Sequence, residues 1–428
     1  MKIYCLTLGC AKNRVDSECL AGALTAAGHI MTETVEEAEA AIVNTCGFIR
    51  PAVEESVSAV LDLEELRKNG RLKKIGVVGC LVNRYEGDLK KEVPTVDFWA
   101  ETEDWKTVLE ALGTPGDDLR HRGFLPASTK FSRYLKISEG CGNRCTYCAI
   151  PGIRGPLRSL PVDTIVKEAQ QLVTEGAKEL CVVGQDLTVY GTDCGGASLI
   201  TLLDELESSL PKDIWIRLLY LHPSRVDRKL LERVSAGKQT VPYLDIPVQH
   251  GDPDILAAMN REISPERLRS IFKEAREINP DFTLRTTCMV GFPGEKKVHF
   301  DNLVSFIKEV RFDRMGAFTF FPEEGTVAAA MKGQVSKAVK ERRLAELMNI
   351  QQEISFERQE QFVGRTLEVL VEKAMNEEGY AEGRSFREAP EVDGVIEITA
   401  PRASLKAGDR IKVKITEALP HDMTGEEV

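Results

Sequence analysis

Three cysteines that lie within eight residues are the part of this chain best suited to chemistry. Cys141, Cys145 and Cys148 form a C-x₃-C-x₂-C run, with an aromatic residue just before the last cysteine. A structural zinc site needs a further Cys or His as its last ligand, and residues 129–160 contain none. A [4Fe–4S] cluster held by three cysteines keeps one iron open for an exogenous ligand. The run therefore favours a catalytic cluster, and a zinc knuckle or a chance grouping is the alternative.

A second group of three cysteines lies nearer the start of the chain. Cys10, Cys46 and Cys80 each follow a short apolar run that is typical of a buried strand. Parallel strands bind ligands at their carboxyl ends, so these three thiols can meet although they are far apart in sequence. Glycines beside them would let a bulky cluster approach the backbone. Three ordinary buried cysteines are the alternative, and the spacing alone leaves both interpretations open.

The elements that must position these cysteines follow an alternating α/β pattern. Residues 1–113 alternate short apolar runs with amphipathic ones, which predicts an open, mostly parallel sheet domain. Residues 114–133 are rich in Pro, Gly and charge without periodicity, which predicts a linker. The predicted strands of the first domain are residues 3–8, 41–44 and 75–78, and its predicted helices are residues 15–27, 53–68 and 105–112.

Residues 134–362 predict a larger unit in which strands and helices continue to alternate. Repeated strand–helix units of this kind indicate a partial (β/α)₆ barrel that resembles a TIM barrel, with its active site at the C-terminal ends of the strands. The Cys141 run follows the first of these strands, where that rule places a reactive centre. The predicted strands are residues 134–138, 179–183, 215–220, 243–246, 284–290 and 314–320.

Residues 363–428 differ in sequence pattern from the rest of the chain, because short β-rich runs alternate with glycine turns. This pattern predicts a small all-β barrel of the OB type. A long, highly charged helix over residues 336–361 is expected to precede it. The predicted strands include residues 366–372, 394–399 and 410–417.

Composition limits the surroundings in which the chain works. No stretch of about 18 apolar residues occurs, which argues against a membrane span. The first residues lack the apolar core of a signal peptide, and eleven cysteines without obvious pairing are typical of a reducing compartment. We therefore expect a cytoplasmic protein. Its formal net charge of −11 suits a basic partner better than a nucleic acid.

The cysteine run resembles the signature of the radical SAM superfamily. The full arrangement, with three cysteines in an N-terminal domain and a terminal TRAM-type barrel, is similar to the methylthiotransferase family. Residues 44–48, 149–155, 244–250 and 291–295 match that family as well. The resemblance implies a [4Fe–4S] cluster on the Cys141 run and a second one on Cys10, Cys46 and Cys80, which carries the sulfur to be donated. It also implies that S-adenosylmethionine serves both as methyl donor and as radical source.

Two branches of this family differ in their target. Residues 185–191, 323–326 and 389–394 look like the branch that modifies the β-carbon of an aspartate in the twelfth small-subunit ribosomal protein. From Gly364 onward, the chain contains fourteen acidic residues and only nine Lys and Arg, whereas an RNA-docking module is expected to be basic. A tRNA adenosine methylthiotransferase is the alternative enzyme. A non-enzymatic iron–sulfur carrier or RNA-binding scaffold is the alternative outside enzymes.

Contacts to S-adenosylmethionine are expected at strand ends that face the Cys141 loop. Arg285 is the most attractive candidate, because a guanidinium pairs with a carboxylate through two hydrogen bonds. A salt bridge inside the barrel is the alternative for this residue, and loop-satisfying hydrogen bonds are the alternative for the others. No catalytic side chain is expected beyond the cluster ligands, and an electron donor such as flavodoxin or ferredoxin is the expected redox partner. The candidate residues are Gln185, Asp186, Gln249, Arg285 and Gly291.

Overall fold

The computed structural model describes residues 1–70, 72–114, 122–125 and 130–428. Much of the predicted linker, residues 114–133, therefore lies outside the described residues. Among those that are described, no helix is both long and apolar enough to cross a bilayer.

The N-terminal domain is a parallel sheet covered by helices on both faces. In the described part of the domain, the sheet has the order β2-β1-β3-β4-β5, and every pairing in it is parallel. The central strand β3 is buried along its whole length, since helices cover both of its faces. Its elements are β1 Lys2–Thr7, α1 Ala11–Ala26, β2 Ile30–Met31, β3 Ala40–Thr45, α2 Arg50–Asn69, β4 Lys74–Gly79, α3 Cys80–Glu92, β5 Phe98–Ala100 and α4 Trp105–Ala111.

The central domain is the predicted partial barrel. Six parallel strands in the described chain form two sheets, of order β10-β9-β6 and β11-β12-β13. Backbone hydrogen bonds from Ile216 to Gln239 and from Val241 to Ile216, at 2.8 and 2.9 Å, connect β10 of one sheet to the segment just before the first strand of the other. Its elements are β6 Ser132–Lys136, β7 Ser138–Glu139, α5 Ile150–Arg154, β8 Arg158–Ser159, α6 Val162–Thr174, β9 Glu179–Val183, α7 Leu199–Ser209, β10 Trp215–Leu218, α8 Arg228–Ala236, β11 Tyr243–Asp245, α9 Pro253–Ala258, α10 Pro265–Ile278, β12 Thr283–Val290, α11 Lys297–Val310, β13 Arg314–Thr319 and α12 Lys337–Glu360.

The C-terminal domain is a closed barrel with the strand order β14-β15-β16-β18-β17. Closure removes the free edges of the sheet, and its interior is filled by a separate apolar core. The predicted fold class of open α/β domain, partial barrel and small β-barrel is thus confirmed. The strands are β14 Thr366–Lys373, β15 Tyr380–Arg384, β16 Ile396–Thr399, β17 Arg410–Ala418 and β18 Met423–Glu427.

Buried ion pairs attach the C-terminal barrel to the N-terminal ends of the central strands. Glu179, the first residue of β9, accepts hydrogen bonds from Arg217 and Arg384, each at 2.7 Å. The Tyr243 hydroxyl, at the start of β11, donates to Asp393 at 2.6 Å. The C-terminal domain therefore covers the end of the central barrel that is opposite the cysteine loop.

Candidate active site

The Cys141 loop leaves the barrel after β6 and β7 and is fixed by its own backbone. The Cys141 amide donates to the Gly155 carbonyl at 3.1 Å, and the Cys148 amide donates to the Cys145 carbonyl at 3.1 Å. Thr146 anchors the middle of the loop, because its hydroxyl donates to the Ala258 carbonyl at 2.8 Å. The three cysteines are therefore held in one short loop at the C-terminal end of the barrel, as the sequence predicts.

Polar side chains surround these thiols and leave them half-buried. The Asn143 amide donates to Cys141 Sγ at 3.4 Å and to Asp186 at 2.8 Å, while Arg261 lies 3.8 Å from Cys145 Sγ. Burial raises the pKa of the Cys141 thiol and raises that of Cys148 to about 12. A metal centre must therefore displace protons from these thiols. Three sulfur donors in one loop, beside a cation, fit a cluster of net negative charge.

The N-terminal trio, which we define as Cys10, Cys46 and Cys80, gathers at the C-terminal edge of the parallel sheet. Cys10 follows β1, Cys46 follows β3 and Cys80 opens α3 directly after β4, and these three strands are neighbours. A Cβ on Gly9 would lie 2.9 Å from the Cys46 Cβ, and one on Gly47 would lie 2.7 Å from the Cys80 carbonyl oxygen. Only glycine lets these loops approach so closely, so the predicted convergence of the three residues is present.

Asn13 connects the loops that carry the N-terminal trio. Its amide donates to the carbonyls of Leu8 and Thr45 at 2.8 and 3.0 Å, and its carbonyl oxygen accepts from the Cys80 thiol at 3.6 Å. Asn13 is buried, so each of these hydrogen bonds replaces one that water would otherwise supply. This residue therefore stabilises the loops that carry the N-terminal trio, a role that the sequence did not indicate.

Arg154 connects the N-terminal trio to the helix that follows the Cys141 loop. It ends α5, the short helix after the Cys141 loop, and its Nε lies 3.1 Å from Cys80 Sγ. Its other nitrogens donate to Asp16 at 2.8 Å, Glu139 at 2.9 Å and Asn13 at 2.5 Å. One side chain of the central barrel, from the helix directly after the Cys141 loop, thus contacts the N-terminal trio.

The trio differs in its electrostatic surroundings. Burial raises the pKa of the Cys80 thiol to about 11, and it also raises the pKa of Cys46. Cys10 is open to solvent but has dense protein around it at longer range. Desolvation raises the pKa of its thiol, but the charges of Lys12 and Arg154 and nearby backbone hydrogen bonds outweigh this effect. The pKa of the Cys10 thiol is therefore lowered. Cys10 is therefore the thiol of this trio whose anion is most favoured.

A carboxylate cluster beside Arg154 is occupied by a lysine. The Lys136 ammonium donates to Asp16, and to Glu103 and Glu139 at 2.7 Å each. These carboxylates lie close enough together to hold a metal ion, but the ammonium pairs with all three and Arg154 pairs with two of them. The cluster is therefore part of the interface between the N-terminal domain and the barrel.

Four of the five residues that the sequence proposes as S-adenosylmethionine contacts follow the C-terminal ends of barrel strands. Gln185 donates to Glu139 at 2.7 Å, and Asp186 accepts from Asn143 and Arg225. The amide oxygens of Gln185 and Gln249 are buried without a hydrogen-bond partner among the described residues. Unsatisfied buried acceptors are candidates for ligand contacts. The fourth, Gly291, uses its amide to donate to Glu295 at 2.8 Å.

Arg285 lies deeper in the barrel and has partners already. It donates to Asp245 at 2.9 Å and lies 3.5 Å from Asp393 of the C-terminal domain. This is the barrel salt bridge that the sequence left as the alternative. Bidentate pairing with a ligand carboxylate would require Arg285 to release one of these partners, so its role as a contact stays a prediction.

Known proteins resemble the whole chain as well as its parts. Residues 2–101 match the Uncharacterized protein family UPF0004, residues 135–307 match the Radical SAM superfamily, and residues 363–428 match the TRAM domain. The chain is 41% identical over 438 residues to the ribosomal protein uS12 methylthiotransferase RimO of Carboxydothermus hydrogenoformans, covering 100% of this chain and 99% of the relative. It is also 41% identical over 441 residues to the protein of that name from Natranaerobius thermophilus, again covering 100% and 99%.

A solved structure shares the fold at much lower identity. The radical S-adenosylmethionine methyltransferase TsrM from Kitasatospora setae, with cobalamin and a [4Fe–4S] cluster bound, superposes with a TM-score of 0.58 at 14% identity. The match covers 95% of this chain and 83% of that protein. This likeness bears on the architecture alone, while the full-length relatives carry the family assignment.

Proposed function

The chain belongs to the family of ribosomal protein uS12 methylthiotransferases, and we propose that it transfers a methylthio group to the β-carbon of an aspartate in that ribosomal protein. It is a radical SAM methylthiotransferase, and it uses S-adenosylmethionine and an iron–sulfur cluster. The observation that carries the finer proposal is the N-terminal trio, whose loops converge and which Arg154 connects to the helix after the Cys141 loop.

The residues present fit two clusters. Cys141, Cys145 and Cys148 would hold one [4Fe–4S] cluster, and the N-terminal trio would hold a second. When bound, the first supplies reductive cleavage of S-adenosylmethionine, and the second supplies the sulfur that is methylated and transferred. Three thiolates per site leave one iron free of protein ligands, which suits both tasks.

The chain's own side chains position the two sites relative to each other. Asn13 and Arg154 fix the loops of the N-terminal trio, while Asn143 and Asp186 orient the Cys141 loop. Catalysis of this kind depends on how the radical is aligned with the substrate. The radical must lie close to one substrate carbon and be kept away from competing hydrogen donors. Gln185 and Gln249, with their unpaired buried oxygens, are the contacts to S-adenosylmethionine that we propose first. Asp186, Gly291 and Arg285 follow them.

A protein target is favoured over tRNA by the relatives' names and by charge. The C-terminal domain carries fourteen acidic against nine basic residues from Gly364 onward, which opposes the polyanionic backbone of RNA. We propose flavodoxin or ferredoxin as the electron donor, because reductive cleavage needs one electron for each radical event.

Mass spectrometry tests the proposal with both targets present. The anaerobically reconstituted chain is supplied with S-adenosylmethionine, a reductant, uS12 and tRNA, and the products are digested. We expect a methylthio group on an aspartate of uS12. Methylthiolated adenosine in tRNA, with uS12 unchanged, would overturn the target.

Two alanine variants separate the roles of the cysteine groups in the same assay. Cys148→Ala should abolish both 5′-deoxyadenosine and the modified aspartate. Cys46→Ala should keep 5′-deoxyadenosine formation and lose the modified aspartate. Absence of 5′-deoxyadenosine from the unaltered, fully reconstituted chain would instead favour an iron–sulfur carrier.

A further inference from the structure

Lys12 is a cation next to the N-terminal trio, and it pairs with no carboxylate of the described residues. It is half-buried in the first turn of α1, and its Nζ lies 3.7 Å from the centre of the Tyr220 ring. Within the described residues its ammonium forms no ion pair or hydrogen bond. Two other lysines that point inward have partners: Lys136 is surrounded by three carboxylates, and Lys340 donates to the Phe320 carbonyl at 2.7 Å.

The surroundings of Lys12 keep its ammonium charged and open to an additional anion. A cation near the first turn of a helix opposes the helix dipole. A second cation, Arg154, opposes the charge of this ammonium, whereas Cys10 and Glu139 favour it and the Tyr220 ring attracts it. A partly desolvated charge in such surroundings is expected to be paired in the working complex.

The ammonium lies between the N-terminal trio and the C-terminal end of the central barrel. Lys12 follows Cys10 of the trio closely in sequence, while Tyr220 lies just beyond β10, at the C-terminal end of the barrel. Tyr220 has a left-handed backbone with φ of 69°, and its amide donates to Asp245 at 3.1 Å. A left-handed non-glycine residue is strained and persists where its surroundings hold it, often at a functional site. Tyr220 thus presents its ring to Lys12 from a fixed position.

We infer that Lys12 binds the side-chain carboxylate of the substrate aspartate and thereby selects aspartate at the target position, an inference that rests on the proposed function. The β-carbon that accepts the methylthio group is bonded directly to that carboxylate carbon. A substrate whose β-carbon faces the trio therefore brings its carboxylate close to Cys10 and to the Lys12 ammonium. The carboxylate of S-adenosylmethionine belongs at the Cys141 loop, where Arg261 already supplies a cation.

The test compares two substrates and three enzymes. A uS12-derived peptide is offered with aspartate or with isosteric asparagine at the target position, and kcat/KM for methylthiolation is measured. Lys12→Met should lower the value for the aspartate peptide about 10- to 100-fold, the range expected on losing a charge-assisted hydrogen bond. The asparagine value should change little, so the aspartate-to-asparagine ratio should fall toward one. Lys12→Arg should restore most of the ratio.

Controls distinguish substrate recognition from support of a cluster. Lys308→Met, at an exposed position of α11, serves as the matched substitution. Iron content and 5′-deoxyadenosine formation without peptide should be equal in all of these proteins. Equal losses with both peptides, or loss of iron in Lys12→Met, would overturn the inference, as would an unchanged ratio. If the unaltered enzyme modifies neither peptide, the proposed function fails and this inference fails with it.

Discussion

Replacing Arg154 with methionine removes a cation that is buried between the N-terminal domain and the central barrel. The Arg154 side chain is 2% exposed, and it contacts Asp16 at 2.8 Å, Glu139 at 2.9 Å and Cys80 Sγ at 3.1 Å. Lys136 is the other cation that contacts both of these carboxylates, and it also contacts Glu103. The substitution therefore leaves excess negative charge in a place that water does not reach.

The size of the effect follows from that burial. Removing one partner of a buried ion pair costs about 3–5 kcal/mol of unfolding free energy, because the remaining charge is uncompensated. Arg158 offers a matched control, since its pair with Glu103 at 3.2 Å leaves the arginine side chain 65% exposed. Arg158→Met should cost about 0–1 kcal/mol, as surface ion pairs do. Combining Arg154→Met with Asp16→Asn should recover about 1–3 kcal/mol, since the two groups interact directly.

Urea-induced unfolding of the metal-free chain measures these changes, with tryptophan fluorescence followed through the first cooperative transition. Trp99 and Trp105 report on the N-terminal domain, and Trp215 reports on the barrel. Iron analysis after reconstitution provides a second measurement, because the loss of Arg154 should weaken the N-terminal trio selectively. If Arg154→Met costs no more than Arg158→Met and keeps full iron, the assignment of Arg154 as the link between the two centres is refuted.

Two further predictions concern the loops of the N-terminal trio and the interface between the central barrel and the C-terminal domain. Gly9→Ala should lose iron from the N-terminal trio while the Cys141 loop keeps its iron, because the new Cβ would lie 2.9 Å from the Cys46 Cβ. Gly28→Ala is the matched control, since the φ of Gly28, 85°, is similar to that of Gly9 and no atom would lie within 4 Å of its new Cβ. The paired arginines lower the pKa of Glu179 from 4.5 to about 2 despite its burial, so its contribution to stability is complete above pH 4.5 and is lost as the pH falls toward 2. Thermal unfolding of the metal-free chain should show this loss. Glu179→Gln should be less stable at neutral pH by about 3–5 kcal/mol, and its stability should depend less on pH across that acid range. Equal slopes for the two proteins would contradict the assignment.

Periodicity predicted most of the architecture because apolar alternation reports burial directly. The strand at residues 179–183 was predicted to the residue, and the strands at 284–290 and 314–320 differ from β12 and β13 by one residue at one end. Helix α3 was missed, because charged residues fill much of it after the buried first turn. Strands β15 and β18 were missed as well, since Tyr380–Arg384 and Met423–Glu427 contain glycine and polar residues that a closed barrel tolerates.

The cysteine positions followed from spacing and from the rule for strand ends, but their surroundings did not. Asn13, Arg154 and Lys12 act across domain boundaries, and nothing local in the sequence marks such contacts. Arg154 belongs to a run that matches the family, yet its contact with Cys80 joins residues that are far apart in the chain. Arg285 shows the converse, because the strand residue that the sequence favours as a ligand contact is paired with Asp245 and Asp393 in the structure.

Iron content together with Mössbauer spectra of the anaerobically reconstituted chain tests the two-cluster claim most directly. The unaltered chain should bind about eight irons as two [4Fe–4S] clusters, given four irons for each cluster. Replacing Cys10, Cys46 and Cys80 with alanine should leave about half of that iron, and replacing Cys141, Cys145 and Cys148 should do the same. A single cluster in the fully reconstituted, unaltered chain would contradict the account.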